Sequence, residues 1–145
     1  MSLKDWLNNG WLTEHKTSRQ EIRNLLELAD RDLNDCQSEG LSSDWRMNIA
    51  YNAALQTAAA ALAACGYRAS RDSHHYRIIQ SLAFTLGVDV KFVAKFDQLR
   101  KKRNIGGYEQ AGLVSQLEAD EMFALAKQLR EQTEKWIRLN HPKLL

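Results

Sequence analysis

Residues 50–64 read AYNAALQTAAAALAA, and this run decides the fold class of the chain. It contains nine alanines, the residue with the highest intrinsic helix propensity. Side chains this small also let neighbouring helices approach closely. We therefore expect a helix from about Trp45 to Cys65 at the centre of a bundle. Polar residues at 42–44 offer it an N-cap, and Gly66 offers a stop.

Similar signals delimit the other predicted helices. Serines at 18 and 115 are each followed three residues later by a glutamate, which is the spacing of a capping box. They predict helices over about 18–39 and from 115 to about 140. Two further helices are predicted, over 73–86 and from Asp89 to the glycine pair at 106–107. Residues 1–17 predict an N-terminal arm or short helix. We expect one all-α domain over residues 1–145, an up-and-down bundle of four to five helices.

Composition limits the classes of function. A net charge of +2 is too small for nonspecific nucleic-acid binding by the whole surface, so an anion site has to come from local clustering. Cys36 and Cys65 lack the spacing of a zinc site and predict reduced thiols. There is no apolar run of about 20 residues and no signal-peptide core, which predicts a cytoplasmic protein that does not enter a membrane. Glycine-rich phosphate loops, HExxH and serine elbows are also missing, so we predict no metal and no cofactor.

The densest cluster of positive charge lies in residues 99–108, LRKKRNIGGY. One interpretation is the C-terminus of a helix, where cations stabilise the dipole. The other is a phosphate clamp, because the guanidinium of Arg103 offers planar paired donors and Asn104 adds another. We expect the helix to break at Gly106-Gly107 and to let Tyr108 fold back toward Arg103. Arg100, three residues earlier, shares a face with Arg103.

Two adjacent histidines, His74 and His75, stand at the predicted start of a helix. They are candidates for an acid and a base, whereas neighbours about 100° apart on a helix cannot grip one metal ion. Arg71, His74 and Arg77 are three residues apart and would line one basic face, able to join Arg103 in binding RNA or a nucleotide phosphate. The simpler interpretation is one histidine hydrogen-bonded where the helix begins.

Several short motifs occur in a recognisable order. They are Trp45-Arg46, Ala50-Tyr51-Asn52, Gly66-Tyr67-Arg68, Ser73-His74-His75-Tyr76-Arg77, and Arg103-Asn104 with Tyr108-Glu109. In these motifs the chain resembles HEPN-domain proteins, and in particular a group of small bacterial members. The likeness covers about Ser38 to the C-terminus. It implies a HEPN-like bundle that often forms a homodimer, with the arginine motifs of both protomers in a cleft between them.

The resemblance also implies a chemistry. Many HEPN proteins are metal-independent endoribonucleases that use an arginine, a polar residue just after it, and a histidine four to six residues further on. The corresponding candidate catalytic residues here are Arg103, Asn104 and Tyr108. A tyrosine in the third place is a poor base, because the ordinary pKa of a phenol is about 10. We therefore expect binding of RNA or a nucleotide with weak or absent cleavage. The expected binding residues are Arg100, Lys102, His74, His75 and Arg77.

Three alternatives stay open. The chain is an active metal-independent endoribonuclease, acting as the toxin of a toxin-antitoxin or phage-defence pair, if His74 or His75 replaces the missing base. Tyr108 is the acceptor for a cognate nucleotidyltransferase antitoxin if it is modified as a tyrosine is in some HEPN toxins. It is a non-catalytic dimerisation scaffold if neither holds.

Two substitutions follow from this interpretation. Arg103→Ala is expected to abolish anion binding and leave the fold intact, because an arginine at the end of a helix adds little stability. Ala59→Leu is expected to damage the fold, because overpacking a close helix contact costs roughly 1–3 kcal/mol.

Overall fold

Most of the chain is helical in the computed structural model, which describes residues 1–108 and 113–145, with side chains described for 1–103 and 113–145. Its described helices are α1 (Leu3–Asn8), α2 (Arg19–Asp35), α3 (Ser43–Ala64), α4 (His74–Ser81), α5 (Val90–Tyr108) and α6 (Gln116–Asn140), followed by a 3₁₀ turn over Pro142–Leu144. This confirms the predicted all-α helical bundle. It also confirms the short N-terminal helix.

Helix α3 forms the centre of the bundle and packs most extensively against α6 and α2. Its alanines at 50, 53, 54, 58, 60 and 61 are fully buried. Larger apolar side chains of the surrounding helices, among them Leu26, Phe96 and Met122, fill the space that the alanines leave. The alanine-rich run thus lets α3 be enclosed by other helices, as the sequence predicts.

Serine caps start the principal helices. The Ser115 hydroxyl accepts from the Glu118 amide, and the Glu118 carboxylate accepts from the Ser115 amide, which completes a capping box. At α2 only half of the box forms, because Ser18 accepts from the Glu21 amide while the Glu21 carboxylate binds other side chains. Asp89 caps α5 by accepting from the amide of Phe92 at 2.8 Å. Two helices are shorter than expected: α2 ends at Asp35 and α4 at Ser81.

A small antiparallel ribbon was not expected from the sequence. It pairs β1 (Leu12–Glu14) with β2 (Tyr67–Ala69) in the register Leu12↔Ala69. Backbone hydrogen bonds extend it at both ends, from the His15 amide to the Gly66 carbonyl (2.8 Å) and from the Ser70 amide to the Trp11 carbonyl (3.0 Å). Gly66, with φ of +93°, turns the chain out of α3 into β2. Strands of three residues are too short to show a period-2 pattern.

Helix α5 runs through the glycine pair, so the predicted break at Gly106-Gly107 is wrong. Glycine lowers helix stability by about 1 kcal/mol relative to alanine, but it keeps the amide that proline lacks. The cations at 100–103 therefore lie before the last turn of α5 and do not cap it. Positions 103 and 108 are separated by about 140° around a continuous helix, so the backbone does not turn Tyr108 back toward Arg103.

In the described part of the chain, no helix has both the length and the apolar character needed to cross a bilayer.

Candidate functional site

An open groove of about 550 Å³ lies where α4 begins beside α5. It is lined by Ser73, the first three residues of α4, and Arg100 of α5. Ser73 adopts a left-handed conformation, with φ of 54° and ψ of 38°, which is uncommon for a residue that has a side chain. This turn carries the chain from β2 into α4. It places both predicted histidines and Tyr76 in the groove. We call this surface the α4 groove.

His75 is held from behind by Tyr51 of α3. The Tyr51 hydroxyl lies 3.1 Å from Nδ1 of His75, and the tyrosine is only 1% exposed. Burial raises the pKa of Tyr51 to about 12, so the phenol stays protonated. No other hydrogen-bond partner of this hydroxyl occurs among the described residues, and a buried O–H that does not donate is costly. Tyr51 therefore donates to Nδ1 of His75, and the neutral imidazole carries its proton on Nε2.

The charge state of His75 follows from the same surroundings. Burial, and then the positive charge of Arg103, lower its pKa below the ordinary value of 6.5. Protonation would also force Nδ1–H toward the Tyr51 hydroxyl and leave the phenolic proton without its acceptor. His75 is thus a neutral hydrogen-bond donor at pH 7.

His74 has the opposite tautomer. Its Nδ1 lies 3.1 Å from the Ala69 carbonyl oxygen and 3.2 Å from that of Ser70. Carbonyl oxygens only accept, so Nδ1 of His74 carries a proton, and Nε2 is the acceptor of the neutral ring. The centroids of the two rings are 6.0 Å apart. Two adjacent imidazoles therefore contribute one acceptor and one donor.

Arg103 lies behind the groove and joins α5 to α3. Its Nε donates to Oδ1 of Asn48 at 2.9 Å, and its guanidinium stands 4.8 Å from the centroid of the Tyr51 ring. Asn48 is itself fixed, because its amide nitrogen donates to the Asp44 carbonyl at 2.9 Å. The same tyrosine thus contacts Arg103 with its face and His75 with its hydroxyl.

Arg100 is the guanidinium of the groove itself. Its Nε donates to Oδ1 of Asp97 at 2.7 Å, while Nζ of Lys101 lies 3.6 Å from the other carboxylate oxygen. Asp97 is only 9% exposed, and pairing with two cations compensates its burial. The guanidinium also stands 5.8 Å from the ring of Tyr76, which is 36% exposed. An aromatic face and a cation therefore lie side by side.

Two of the predicted binding residues, Arg77 and Lys102, do not line the α4 groove. Arg77 stacks on the N-terminal arm, with its guanidinium 3.7 Å from the Trp11 ring centroid and 5.4 Å from that of Trp6. Lys102 pairs with Glu118 of α6 at 3.7 Å. The side chains of Asn104 and Tyr108 lie outside the described residues. Of the predicted set, Arg100, His74 and His75 meet in the α4 groove, and Arg103 reaches it through Tyr51.

Sequence reasoning did not assign Asn48, Tyr51 or Asp97 to the site. A signal for the first two exists in the spacing of two helices. Positions 44, 48 and 51 of α3 and positions 96, 100 and 103 of α5 have the same four-then-three spacing, which places each trio on one helix face. Tyr51 packs edge-on against Phe96 with ring centroids 5.9 Å apart, and Asn48 bonds to Arg103. The two faces therefore meet.

Comparison with known proteins gave no assignment. No protein-family model matches the chain, and no curated protein matches it significantly. Within the described residues, no group of three or more histidine, cysteine, aspartate or glutamate side chains is arranged to hold a metal ion.

Proposed function

We propose that this chain is a HEPN-like protein that binds single-stranded RNA through the α4 groove. The observation that carries the proposal is the convergence of Arg100, His74, His75 and Tyr76 on one open surface. A guanidinium and an imidazole N–H are donors suited to a phosphate oxygen. An exposed tyrosine ring beside them is a platform on which an unstacked base can lie.

The state of His75 favours binding over cleavage. RNA cleavage by attack of the 2′-hydroxyl needs a base that removes its proton. His75 is neutral and has its proton on Nε2, with Nδ1 already occupied by Tyr51. It can donate to a phosphate oxygen and has no free lone pair for the 2′-hydroxyl proton. This supports an RNA-binding protein with a degraded ribonuclease motif.

Binding is tested by fluorescence anisotropy of a labelled single-stranded RNA in EDTA. We expect Arg100→Ala to weaken the affinity for RNA by about tenfold. It should also reduce the slope of log affinity against log salt concentration by about one. Tyr76→Ala, which removes the platform and leaves the Arg100–Asp97 pair, is also expected to weaken binding. Arg23→Ala is the matched control, since Arg23 is exposed on α2, away from the groove. An equal loss in the control and Arg100→Ala would contradict a site in the groove.

A second candidate, a metal-independent endoribonuclease, is favoured by one observation at His74. With Nδ1–H donated to backbone carbonyls, Nε2 is the acceptor, which is the arrangement of a general base. His74 would take the 2′-hydroxyl proton, the 2′-oxygen would attack phosphorus, and the 5′-oxygen would leave. Because His75 is neutral, water would protonate the leaving oxygen. The products would be a 2′,3′-cyclic phosphate and a 5′-hydroxyl end.

Cleavage in EDTA distinguishes the two candidates. Cyclic-phosphate product that disappears in His74→Ala supports the ribonuclease, whereas binding with no product supports the degraded motif. If the chain neither binds nor cleaves RNA, the result favours a dimerisation scaffold.

The resemblance extends the proposal to partners, namely a homodimer and a nucleotidyltransferase antitoxin that modifies Tyr108. Light scattering of the purified chain tests the first. Incubation with a nucleotidyltransferase encoded beside this gene, followed by mass spectrometry of wild type and Tyr108→Phe, tests the second.

A further inference from the structure

A half-enclosed cavity of about 190 Å³ lies between α2, α3, α4 and the ribbon. Its apolar lining comes from three helices: Leu25 of α2, Ala59, Leu62 and Ala63 of α3, and Ile78 of α4. Polar side chains at its edge come from His15, Glu21 and Arg68. An apolar cavity with a few convergent polar groups is the usual form of a small-ligand site. Its volume is comparable with one heterocyclic ring system.

His74 connects this cavity to the α4 groove, because the same imidazole lines both. Its ring is fixed by the hydrogen bonds of Nδ1 to Ala69 and Ser70. An RNA strand whose phosphate lies at Arg100 and His75 therefore passes beside the cavity. A base turned out of the strand is the part of such a ligand that has the size and flatness to enter.

The polar edge combines an acceptor and a donor. Oε1 of Glu21 accepts from Nε2 of His15 and from the Thr17 hydroxyl, both at 2.7 Å, and these bonds leave Oε2 as the acceptor for a ligand. The Thr17 bond, with smaller effects from His15 and Arg68, lowers the pKa of Glu21 and keeps it ionised. The guanidinium of Arg68 supplies donors on the same edge.

We propose that this cavity binds one guanine, unstacked from the RNA strand held in the α4 groove; the inference rests on the proposed function and adds a base preference to it. Guanine is the base whose pairing edge presents two donors, N1–H and N2–H, beside an acceptor, O6. The donors match the carboxylate of Glu21, and O6 matches the guanidinium of Arg68. Uracil presents a single donor between two acceptors and leaves the carboxylate poorly satisfied.

Two labelled eight-nucleotide RNAs, oligouridylate and the same strand with one central guanosine, test the proposal by anisotropy. We expect the guanosine strand to bind about tenfold tighter, the discrimination typical of one well-paired base edge. Glu21→Gln should bring the ratio close to one and leave affinity for oligouridylate unchanged. Glu27→Gln, the same substitution at an exposed position of α2, should keep the tenfold ratio. Ala59→Leu, which fills the cavity from α3, should also remove the preference.

Equal affinity of the wild type for both strands overturns the base site and leaves the RNA-binding groove in place, provided that Arg100→Ala still weakens both. Loss of the preference in Glu27→Gln as well as in Glu21→Gln also overturns it. If neither RNA binds, the proposed function fails. Titration with the nucleoside guanosine then tests separately whether the cavity binds guanine. NMR shifts confined to amides such as those of Ala59 and Ala63, seen with guanosine and not with uridine, support the cavity. Their absence overturns it.

Discussion

At Tyr51, one hydroxyl group decides which nitrogen of His75 carries the proton. The hydroxyl is buried and bonds to Nδ1, so the histidine presents N–H from its other side. One residue earlier, backbone carbonyls impose the opposite tautomer on His74. Adjacent residues of the same type therefore acquire different chemical roles from their surroundings, and the sequence carries no sign of which is which.

We predict that long-range ¹H–¹⁵N NMR spectra at pH 7.5 show the Nε2–H tautomer for His75 and the Nδ1–H tautomer for His74. Tyr51→Phe keeps the ring that Arg103 and Phe96 contact and removes the donor. It should convert His75 to a mixture of tautomers and leave His74 unchanged. It should also lower the free energy of unfolding by about 1 kcal/mol, the contribution of a typical hydrogen bond. A wild-type spectrum with Nδ1–H at His75 would refute the assignment.

The lowered pKa of His75 predicts a pH dependence. Above its ordinary value of 6.5, His75 is neutral in both the folded and the unfolded chain and contributes no slope. As the pH falls from 6.5 to the lowered folded-state value, the unfolded chain binds a proton that the folded chain does not, so stability decreases. Urea unfolding at pH 7.5 and 5.5 measures the loss. His75→Gln should show a smaller loss; an identical one would assign the effect to other groups.

The positions of the helices were easier to predict from the sequence than the tautomers and charge states of the two histidines. Alanine content located α3, and serine-to-glutamate spacings located the starts of α2 and α6, because both signals are local. The end of α5 was not predicted, since a glycine pair weakens a helix without terminating it. The ribbon was also missed, because each strand has only three residues and its partner lies more than 50 positions away. Tyr51 and Asn48 joined the site through a contact between two helices, which single-helix periodicity does not specify.

The position of Arg103 within α5 changes the outcome expected for its removal. The sequence suggested that Arg103 lies at the end of a helix, but α5 continues beyond it. Arg103 bonds to Asn48 and packs over Tyr51. We predict that Arg103→Ala lowers the free energy of unfolding by about 1–2 kcal/mol, the scale of one charged hydrogen bond with a cation–π contact. Urea unfolding measures this, with Arg23→Ala as the control. An unchanged urea midpoint would show that the contact of Arg103 with α3 does not stabilise the fold.

Alanines of α3 differ in what they face. Ala58 is fully buried, whereas Ala59 is partly exposed and lines the cavity, so the close helix contact expected at Ala59 lies at its neighbour. We predict that Ala58→Leu destabilises the fold by roughly 1–3 kcal/mol through overpacking. Ala59→Leu should cost clearly less, since the new side chain enters existing space. The difference between the two urea midpoints checks this, and a larger loss at Ala59 would contradict it.

At the scale of the whole molecule, the N-terminal arm packs against α4. Trp6 and Trp11 meet edge to face, with centroids 5.8 Å apart, and Arg77 of α4 stacks on Trp11. The arm is thereby tied to the helix that also carries His74 and His75. Arg77 also stands 5.5 Å from the ring of Tyr76, so it joins the arm to the edge of the α4 groove.

The ribbon makes access to the cavity a question of local unfolding. Tyr67, Arg68 and Ala69 form one wall of the cavity, and this strand pairs with the three residues of β1, with one further backbone hydrogen bond beyond each end. An isolated two-stranded ribbon is only marginally stable, so we expect this one to open at a lower free energy than the helices of the bundle. Amide hydrogen exchange of His15 and Ser70, which bond across it, should be faster than exchange in α3. Arg77→Ala should accelerate it further. A protection equal to that of α3 would mean that the cavity opens only when the whole protein unfolds.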